Sequence, residues 1–539
     1  MQRSSQPLPW RPRGLSDSMD GSTAFNGSMS SLQNLIPDPS TSQLWECRPA
    51  AALIYDTTQP GPISVFKIVG SILYGMVGEI DGFDHPFAFN LATNTVVTVT
   101  GVVAGSIPQS QPASGAWIPP VMDLIGAKMV VAHTGFSATV NFIGWFDIST
   151  PTAPVWHAGN MTGTQVFTVP PISVAQFANR AYYIHNAIGA PAVIFSDILN
   201  ATNDGTGGIT PVITFGDSTP LTALGQLRLY NQLGGIIQAL IVFKDSINVY
   251  QVTGDAATSN LAVNAMNFAT GTKAPNSVCS TPRGLAFVAP DGLRIIDFSA
   301  NISDPIGYDG QGICVPFIYS NVPSRICAAC NGNIVRITTQ NANAIPVAFQ
   351  EYWYDLERKI WSGPHTCAAQ FIQPFGGTFI TALQASAAKL WQSDSVIGAT
   401  STFTENGAAL SWTYTTTFLP DTDMMGNIHV SQALLDCAFS ANSAPFAVVC
   451  QDQNNTPIDS IALAGLPAST VWGVFIWGAA TWGGPGNALS PRKLPWHFPL
   501  VFSKGKFAVT GASTSEIRLG TLHLRYKQLR YLTDISAAA

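Results

Sequence analysis

Four aspartates lie in or beside predicted turns, where carboxylates from neighbouring repeats could meet around a sugar. A glycosidase needs two such groups, one to protonate the leaving oxygen and one to activate water or attack the sugar. Aspartate is also favoured in turns because its side chain accepts hydrogen bonds from nearby backbone amides. We therefore interpret the four as turn residues and predict no catalytic residues. They are Asp245, Asp255, Asp291 and Asp297.

Residues that could bind a metal are sparse. Cys327 and Cys330 are the one close pair among eight cysteines, and a zinc site needs a second pair or histidines at ligand spacing. Asp421 and Asp423 supply two carboxylates, too few for the six to eight oxygens that calcium takes. We predict buried strand cysteines, a solvated loop at 421–423, and no metal-binding residues.

Histidines and nucleotide motifs give no catalytic constellation either. A lone histidine in a β-rich chain is more often structural or exposed than a ligand. The chain has no GxGxxG opening a helix, no GxxxxGK[ST], no HExxH and no GxSxG. We predict that the protein is not an enzyme and has no cofactor-binding residues. The eight isolated histidines are His85, His133, His157, His185, His365, His429, His497 and His523.

A glycine-rich segment carries three tryptophans, each followed by glycine. Their spacing of five residues matches neither a strand nor a helix. Exposed indoles stack on sugars or anchor a neighbouring subunit, whereas packing into a local core would give them no binding role. The three are Trp472, Trp477 and Trp482.

Composition limits the kind of partner. Of 539 residues, 46% are hydrophobic and 10% are charged, and the net charge is -6. Soluble domains usually carry about 25% charged residues, so we expect neighbouring subunits to cover part of the surface. The basic residues are scattered, which argues against tight nucleic-acid binding, because that binding depends on clustered Lys and Arg.

Targeting signals are absent from the sequence. The most apolar runs, 236–243 and 471–480, are far shorter than the ~20 residues that cross a bilayer. Residues 1–31 lack the apolar stretch of a signal peptide, and the sparse cysteines suit a reducing cytoplasm. We expect no membrane-spanning segment.

Short runs rich in Val, Ile, Thr and aromatic residues, separated by Gly, Asn and Asp, predict an all-β chain. Seven stretches share a loose order of apolar strand, turn, aromatic-bearing strand and third strand. They begin roughly 45–60 residues apart, which is typical of propeller blades. We predict an irregular β-propeller of six or seven blades at 51–400. The stretches begin at Ser64, Val121, Ser173, Leu221, Thr281, Arg325 and Gln370.

The two ends of the chain differ from this repeat. From about residue 401 the strands are longer and alternate more regularly, which predicts a C-terminal β-sandwich-like domain at 401–539. Residues 1–50 read as an extended N-terminal arm and lead-in. Because residues 1–31 hold several prolines and serines and few apolar side chains, we expect this arm to be anchored only by neighbouring subunits.

Several motifs together resemble one family of phage proteins. Over about residues 25–400 the pattern is similar to the tail nozzle family of short-tailed bacteriophages, also called tail tubular protein B or packaged-DNA stabilisation protein. The resemblance implies a β-propeller subunit, six copies of which form the distal tail tube below an adaptor ring. The family has no catalytic residues to transfer. The motifs are Met29–Pro39, Leu44–Ala50, Ile241–Asp255, Ala274–Val278 and Gly284–Arg294.

This resemblance leads to the hypothesis of a structural virion protein through whose ring DNA is retained and then ejected. The implied partners are further copies in a hexamer, the tail adaptor ring, tail fibre or spike proteins, and genomic DNA in transient, non-specific contact. The implied location is the phage tail, assembled in the host cytoplasm. A low-charge wall suits a conduit, because each Lys or Arg on a phosphate adds affinity that slows a moving duplex.

Two alternatives remain open. One is a propeller adhesin or lectin that binds host-surface glycans, with the segment of Trp472, Trp477 and Trp482 as the stacking surface. The other is a propeller glycosidase, which would show three or more carboxylates converging at one mouth of the propeller.

Overall fold

The computed structural model gives an almost entirely β protein. Within the residues that the structure describes, the helices are one short α-helix at Val315–Ile318 and two 3-10 helices at Pro275–Ser277 and Pro323–Arg325. No described helix has the length and apolarity needed to span a membrane. The structure describes residues 6–530 except for 11–12, 17–27, 39–43, 60–61, 79–83, 103–118, 137–140, 188–189, 205–210, 217, 231–234, 246–247, 255–259, 268, 308–311, 319, 321, 341–348, 384–387, 395–402, 406, 419–425, 440–445, 453, 464–489, 494–499, 503 and 515–516.

The N-terminal region forms six short strands that enter three different sheets. Strands β2 and β4 pair with their neighbours β3 and β5, whereas the other four pair with strands that are distant in sequence. The strands are β1 (Gln6–Trp10), β2 (Gly14–Leu15), β3 (Ser28–Gln33), β4 (Leu35–Pro37), β5 (Trp45–Cys47) and β6 (Ala52–Asp56).

Blades 1 to 4 are four-stranded antiparallel sheets built from consecutive strands. Blade 1 has β7 (Ile63–Val69), β8 (Ile72–Gly78), β9 (Asp84–Asn90) and β10 (Thr95–Val97); blade 2 has β11 (Val121–Ile125), β12 (Lys128–Ala132), β13 (Ile143–Asp147) and β14 (Val155–Gly159); blade 3 has β15 (Ser173–Phe177), β16 (Arg180–Ala187), β17 (Ala190–Phe195) and β18 (Val212–Thr214); blade 4 has β19 (Leu221–Tyr230), β20 (Ile236–Lys244), β21 (Val249–Thr253) and β22 (Ala262–Asn267).

Blades 5 and 7 contribute three consecutive strands each, whereas blade 6 has four consecutive strands within a larger sheet. In blade 5 the amides of Ser303 and Ile306 donate to the carbonyls of Ile295 and Leu293 (2.9 and 2.8 Å), so the segment after the third strand takes the place of a fourth. Blade 5 has β23 (Cys279–Thr281), β24 (Gly284–Ala289) and β25 (Gly292–Ile296); blade 6 has β26 (Cys327–Asn331), β27 (Ile334–Gln340), β28 (Phe349–Asp355) and β29 (Ile360–His365); blade 7 has β30 (Ala369–Phe375), β31 (Thr378–Leu383) and β32 (Lys389–Asp394).

The seven blades form a closed ring. The innermost strands β7, β11, β15, β19, β23, β26 and β30 each contact the next, and β30 contacts β7. Blade 7 is completed by β6, which pairs antiparallel with β32. Buried side chains fill the space between blades, as where Val130 of blade 2 packs with Tyr183 of blade 3. The predicted propeller is confirmed, with seven blades that begin within two residues of the predicted positions.

The C-terminal strands form a sandwich. Its two sheets share one core, in which Trp412 and Phe446 of one sheet join Leu435 and Leu522 of the other, and this confirms the predicted sandwich. The strands are β33 (Thr404–Glu405), β34 (Ala408–Thr416), β35 (Gly426–Phe439), β36 (Phe446–Asp452), β37 (Pro457–Leu463), β38 (Ser490–Lys493), β39 (Leu500–Phe502), β40 (Gly505–Ser513) and β41 (Ile517–Arg530).

N-terminal strands complete both sheets of the sandwich. One sheet runs β38-β35-β41-β5-β4, with β1 also paired to β41. The other runs β3-β34-β40-β36-β37 and continues into blade 6, because Leu32 of β3 pairs with Gly363 of β29. Propeller and sandwich therefore share one continuous sheet.

The expectation that the N-terminal arm is anchored only by neighbouring subunits is wrong for its described parts. Strand β1 pairs with β41, with Leu8 opposite Leu524, and β3 pairs with β34. Proline lacks an amide hydrogen, but alternate residues of an edge strand do not need one for pairing. The prolines at Pro7 and Pro9 are therefore compatible with a strand on the edge of β41.

Candidate functional site

The aspartates of the predicted turns each have a separate local partner. Asp291 forms an ion pair with Arg294 (2.6 Å), and Asp245 forms one with Lys273 (3.4 Å). Asp297 accepts the backbone N–H groups of Ser299 and Asn301 (2.8 and 2.9 Å). Asp255 lies outside the described residues.

The described cysteines and histidines are likewise dispersed. Cys327 is buried and Cys330 half-buried in β26, and burial raises the pKa of each thiol to about 12. His133 accepts the N–H of Gly135 at Nδ1, so its Nε2 donates to the buried Asp84 (3.1 Å). Across the described ranges no three His, Cys, Asp or Glu side chains are grouped to hold a metal.

Other predicted positions fall where nothing is described. The calcium candidates Asp421 and Asp423, and His497, lie outside the described residues. So do the three tryptophans of the glycine-rich segment, Trp472, Trp477 and Trp482. Their roles stay as predicted from the sequence.

The structure instead brings charged residues together where the N-terminal region, blades 6 and 7, and the sandwich meet. We call this group the junction; it comprises Asn34, Arg48, Arg336, Glu351, His365, Thr366 and Glu405. Asn34 lies in the turn between β3 and β4 with a φ of 56°, a left-handed conformation that asparagine tolerates better than most residues. That turn directs its amide into the contact between the two domains.

Asn34 connects all three parts. Its Nδ2 donates to the carbonyl of Ser411 in the sandwich (2.6 Å) and to Thr366 Oγ1 in the propeller (2.9 Å). Its Oδ1 accepts Arg48 Nε (2.9 Å) and the N–H of Thr366 (3.0 Å). Its own N–H donates to His365 Nδ1 (3.1 Å).

Arg48 carries the charge at this point. Its side chain is fully buried and pairs with Glu405, whose side chain is 23% exposed, at 2.5 Å. It also donates to the carbonyl of Pro49 (2.9 Å) and to Thr366 Oγ1 (3.2 Å). A buried guanidinium is tolerated only when its donors are satisfied in this way. Arg48 therefore fixes the segment after β5 against β33, the first of the C-terminal strands of the sandwich.

A second ion pair continues the junction into the ring. Arg336 of blade 6 pairs with Glu351, and both are buried. Arg336 donates to Ser393 Oγ in blade 7 (2.6 Å) and lies 4.8 Å from the ring of Trp353. Glu351 also accepts the indole N–H of Trp353 (2.7 Å). This pair holds two blades together beside the closing strand.

Burial and the two arginines set the protonation of neighbouring groups. Loss of hydration, together with the positive charges of Arg48 and Arg336, holds the pKa of His365 well below its usual value. Its neutral ring accepts from Asn34, and its Nε2 lies 3.2 Å from Ser362 Oγ. Burial raises the pKa of the Cys367 thiol to about 12. These groups stay neutral and serve as hydrogen-bonding partners, with no activated nucleophile among them.

Sequence reasoning missed the junction. Its members lie up to about 370 residues apart and carry no shared motif. The one available signal was charge placed among apolar neighbours, as at Arg48 within Leu44–Ala50 and Glu351 within Phe349–Asp355. In a chain with 10% charged residues, such positions are candidates for buried ion pairs.

Comparison with known proteins gives only distant structural similarities. No protein-family model matches the chain, and no curated protein matches it. The Dos1 propeller is 11% identical with a TM-score of 0.35 and covers 74% of this chain and 95% of its own. A lectin from Burkholderia pseudomallei is 13% identical with a TM-score of 0.37 and covers 68% and 99%.

An exo-beta-1,3-galactanase from Phanerochaete chrysosporium, in complex with galactose, is 12% identical with a TM-score of 0.28 and covers 74% of this chain and 95% of its own. At such identities and TM-scores these similarities assign neither a ligand nor an activity to the chain.

Proposed function

We propose that the protein is a structural subunit of a ring in the distal tail tube of a short-tailed phage, where it holds DNA and lets it pass. The observation that carries this proposal is the junction. A fully buried Arg48 pairs with Glu405 of the sandwich and donates to Thr366 of the propeller, and a shared sheet runs through both domains. Such a unit resists relative domain motion, as a part under mechanical load requires.

The low charge and the sequence resemblance support the same proposal. A chain with 10% charged residues gains by covering surface in an assembly. A closed ring uses the same two patches on every subunit, so no unpaired surface is left at its ends. The resemblance to the tail nozzle family supplies the identity of the ring and of its DNA cargo.

Negative-stain imaging together with mass in solution tests the proposal. The purified full chain should form closed rings, with six copies as the expected number, at micromolar concentration. Two results together would overturn the proposal. The protein would stay monomeric up to 100 µM, a concentration of about 10⁻⁴ M at which even weak subunit contacts form, and it would fail to join rings of tail adaptor protein.

A second candidate function, glycan binding, is favoured by the surface between blades 2 and 3. The partly exposed ring of Trp145 stacks on His157 with centroids 5.4 Å apart, and Lys128 Nζ lies 5.6 Å from the Trp145 ring. Lys128 also donates to Asn200 and Thr202 side chains (3.3 and 2.8 Å). An exposed aromatic ring can stack on the apolar face of a sugar, and polar groups beside the ring can bind the sugar hydroxyls.

A glycan array distinguishes this second candidate. Binding of the wild-type chain that is lost on Trp145→Ala and retained on Tyr230→Ala, an exposed aromatic on blade 4, would support a lectin. Absence of binding to host-surface glycans would exclude that role for the Trp145 surface.

A further inference from the structure

Two lysines of the sandwich share one aromatic ring. Lys504 Nζ lies 5.8 Å and Lys506 Nζ 5.5 Å from the centroid of Phe418. Cation–π attraction holds each ammonium beside the ring, so both lysines place their charge next to Phe418 at the start of β40. Lys506 is half-buried, and loss of hydration lowers its pKa. The two charges beside one ring and the loss of hydration at Lys506 both raise the free energy of the site when no anion is bound.

Three other lysines in the described part of the chain form ion pairs with carboxylates, whereas Lys128 and Lys244 donate to uncharged oxygens. Lys67 pairs with Asp123 (3.2 Å), Lys273 with Asp245 (3.4 Å) and Lys389 with Asp56 (2.9 Å). Within the part of the chain that the structure describes, neither Lys504 nor Lys506 forms such a pair. Among the described residues, no carboxylate therefore competes with an external anion for the two ammonium groups.

The acidic residue beside them in the sheet is already engaged. Strand β36 places Gln451 opposite Lys506 and Asp452 opposite Gly505. Asp452 uses its carboxylate within its own turn, where it accepts the N–H groups of Asn454 and Thr456 (both 2.8 Å). Its Oδ1 is thus engaged in the turn, and among the described residues Asp452 forms no ion pair with either lysine.

We propose that Lys504 and Lys506 form a contact site for phosphodiester groups of double-stranded DNA, with Phe418 holding the two ammonium groups in position. This inference rests on the proposed function, which brings DNA to the protein. Lysine contacts to phosphate add affinity that is independent of sequence and falls with salt. Two contacts per subunit, repeated around the ring, give a salt-dependent hold, which suits the retention of DNA before ejection.

Anisotropy of a labelled 30-base-pair duplex, titrated with the full chain between 20 and 200 mM salt, tests the site. Removing two phosphate contacts should lower the slope of log affinity against log salt by about 1.8, at about 0.9 per contact. We expect Lys504→Gln/Lys506→Gln to show that loss for each subunit that contacts the duplex. The affinity at 100 mM salt should then fall roughly 60-fold per contacting subunit. Lys504→Arg/Lys506→Arg should retain binding.

The matched control changes charge equally elsewhere. Arg283→Gln/Lys359→Gln removes two exposed basic residues of blades 5 and 6 and should leave the salt slope within about 0.3 of wild type, since a lost contact is worth about 0.9. If the Gln variant of the site behaves like this control, the proposal is wrong. The acidic Asp421 and Asp423, which follow Phe418 in sequence, would then be the first partners to examine.

Protection of lysines from chemical acetylation gives a second measurement of DNA contact, and it does not require a fitted binding affinity. With excess duplex, Lys504 and Lys506 should be protected and Lys359 should react as before. Equal reactivity of all three would overturn the site. Ring formation is measured separately by mass in solution, so failure of the ring and failure of the DNA contact are distinguishable.

Discussion

The propeller and the sandwich are both β, but they recruit their strands differently. Blades 1 to 4 use strands that follow one another in the chain, joined by short connections. The sandwich pairs strands separated by hundreds of residues, as where Leu32 of β3 lies opposite Tyr414 of β34. The ring is a local structure repeated, whereas the sandwich depends on both ends of the chain meeting, and the junction is where that meeting is secured.

Arg48→Met should have the largest effect. It leaves Glu405 and the Oδ1 of Asn34 without their buried donor, and breaking a buried ion pair costs about 3 kcal/mol or more. If propeller and sandwich unfold together, calorimetry will show one transition shifted to lower temperature. If the junction couples them weakly, the sandwich will unfold first as a separate transition.

Lys389→Met is the control for this experiment. It also replaces a cation by methionine, but its ion pair with Asp56 is solvent-exposed on both sides, so we expect little change in the unfolding temperature. Equal destabilisation by the two changes would show that Arg48 owes its effect to something other than burial.

Closure of the ring is tested by Tyr55→Ala. Tyr55 lies on the closing strand β6 and stacks on Phe89 of blade 1 with centroids 4.5 Å apart. Its ring is half-buried, so we expect a loss of about 2 kcal/mol, below the ~3–5 kcal/mol of a fully buried aromatic. Urea denaturation of this variant and of Tyr230→Ala, whose ring is 62% exposed, should differ by at least about 1 kcal/mol.

The recruitment of strands explains what the sequence could reveal. The seven predicted stretches correspond to the seven blades because blades 1 to 6 and the first three strands of blade 7 are each encoded by a contiguous run of strands and turns. The outer strand of blade 7 was not predicted as such, since β6 precedes blade 1 by only a few residues and pairs with β32. Pairing over that distance leaves no local pattern.

The candidate site was less predictable for the same reason. Turn aspartates such as Asp291 were interpretable from their immediate neighbours, and their geometry is that of local turns. Arg48 and Glu405 are 357 residues apart, so their pairing depends on the completed fold. Sequence periodicity identified the β-strands around them but not the buried charges between those strands.

Stability should fall at mildly acidic pH because of His365. Its folded-state pKa lies well below the usual value, because burial and the charges of Arg48 and Arg336 disfavour the protonated ring. The unfolded chain, with a pKa of about 6.5, therefore takes up a proton that the folded chain resists. This contribution is fully present above pH 6.5 and is lost progressively as pH falls toward the folded pKa.

The pH effect is measured as a difference between variants. Denaturation of wild type and His365→Gln from pH 7.5 to 4.5 should show a smaller loss of stability below pH 6.5 in the variant, although the variant starts less stable. His523→Gln, at a more exposed histidine, is the control for a general effect of histidine replacement. Parallel curves for wild type and His365→Gln would contradict the assignment.

The turn carboxylates should have the smallest effect, and that expectation sharpens the contrast with the junction. Asp291→Asn weakens an ion pair whose carboxylate is 43% exposed, so the loss of stability should be at most about 1 kcal/mol. Asp297→Asn keeps a side-chain oxygen for the N–H groups of Ser299 and Asn301 and should be nearly neutral. Thermal melts measure both against Arg48→Met. If instead either change abolished release of sugars from host-surface polysaccharide by the pure protein, the aspartates would be catalytic groups, and the turns that hold them would be an active site.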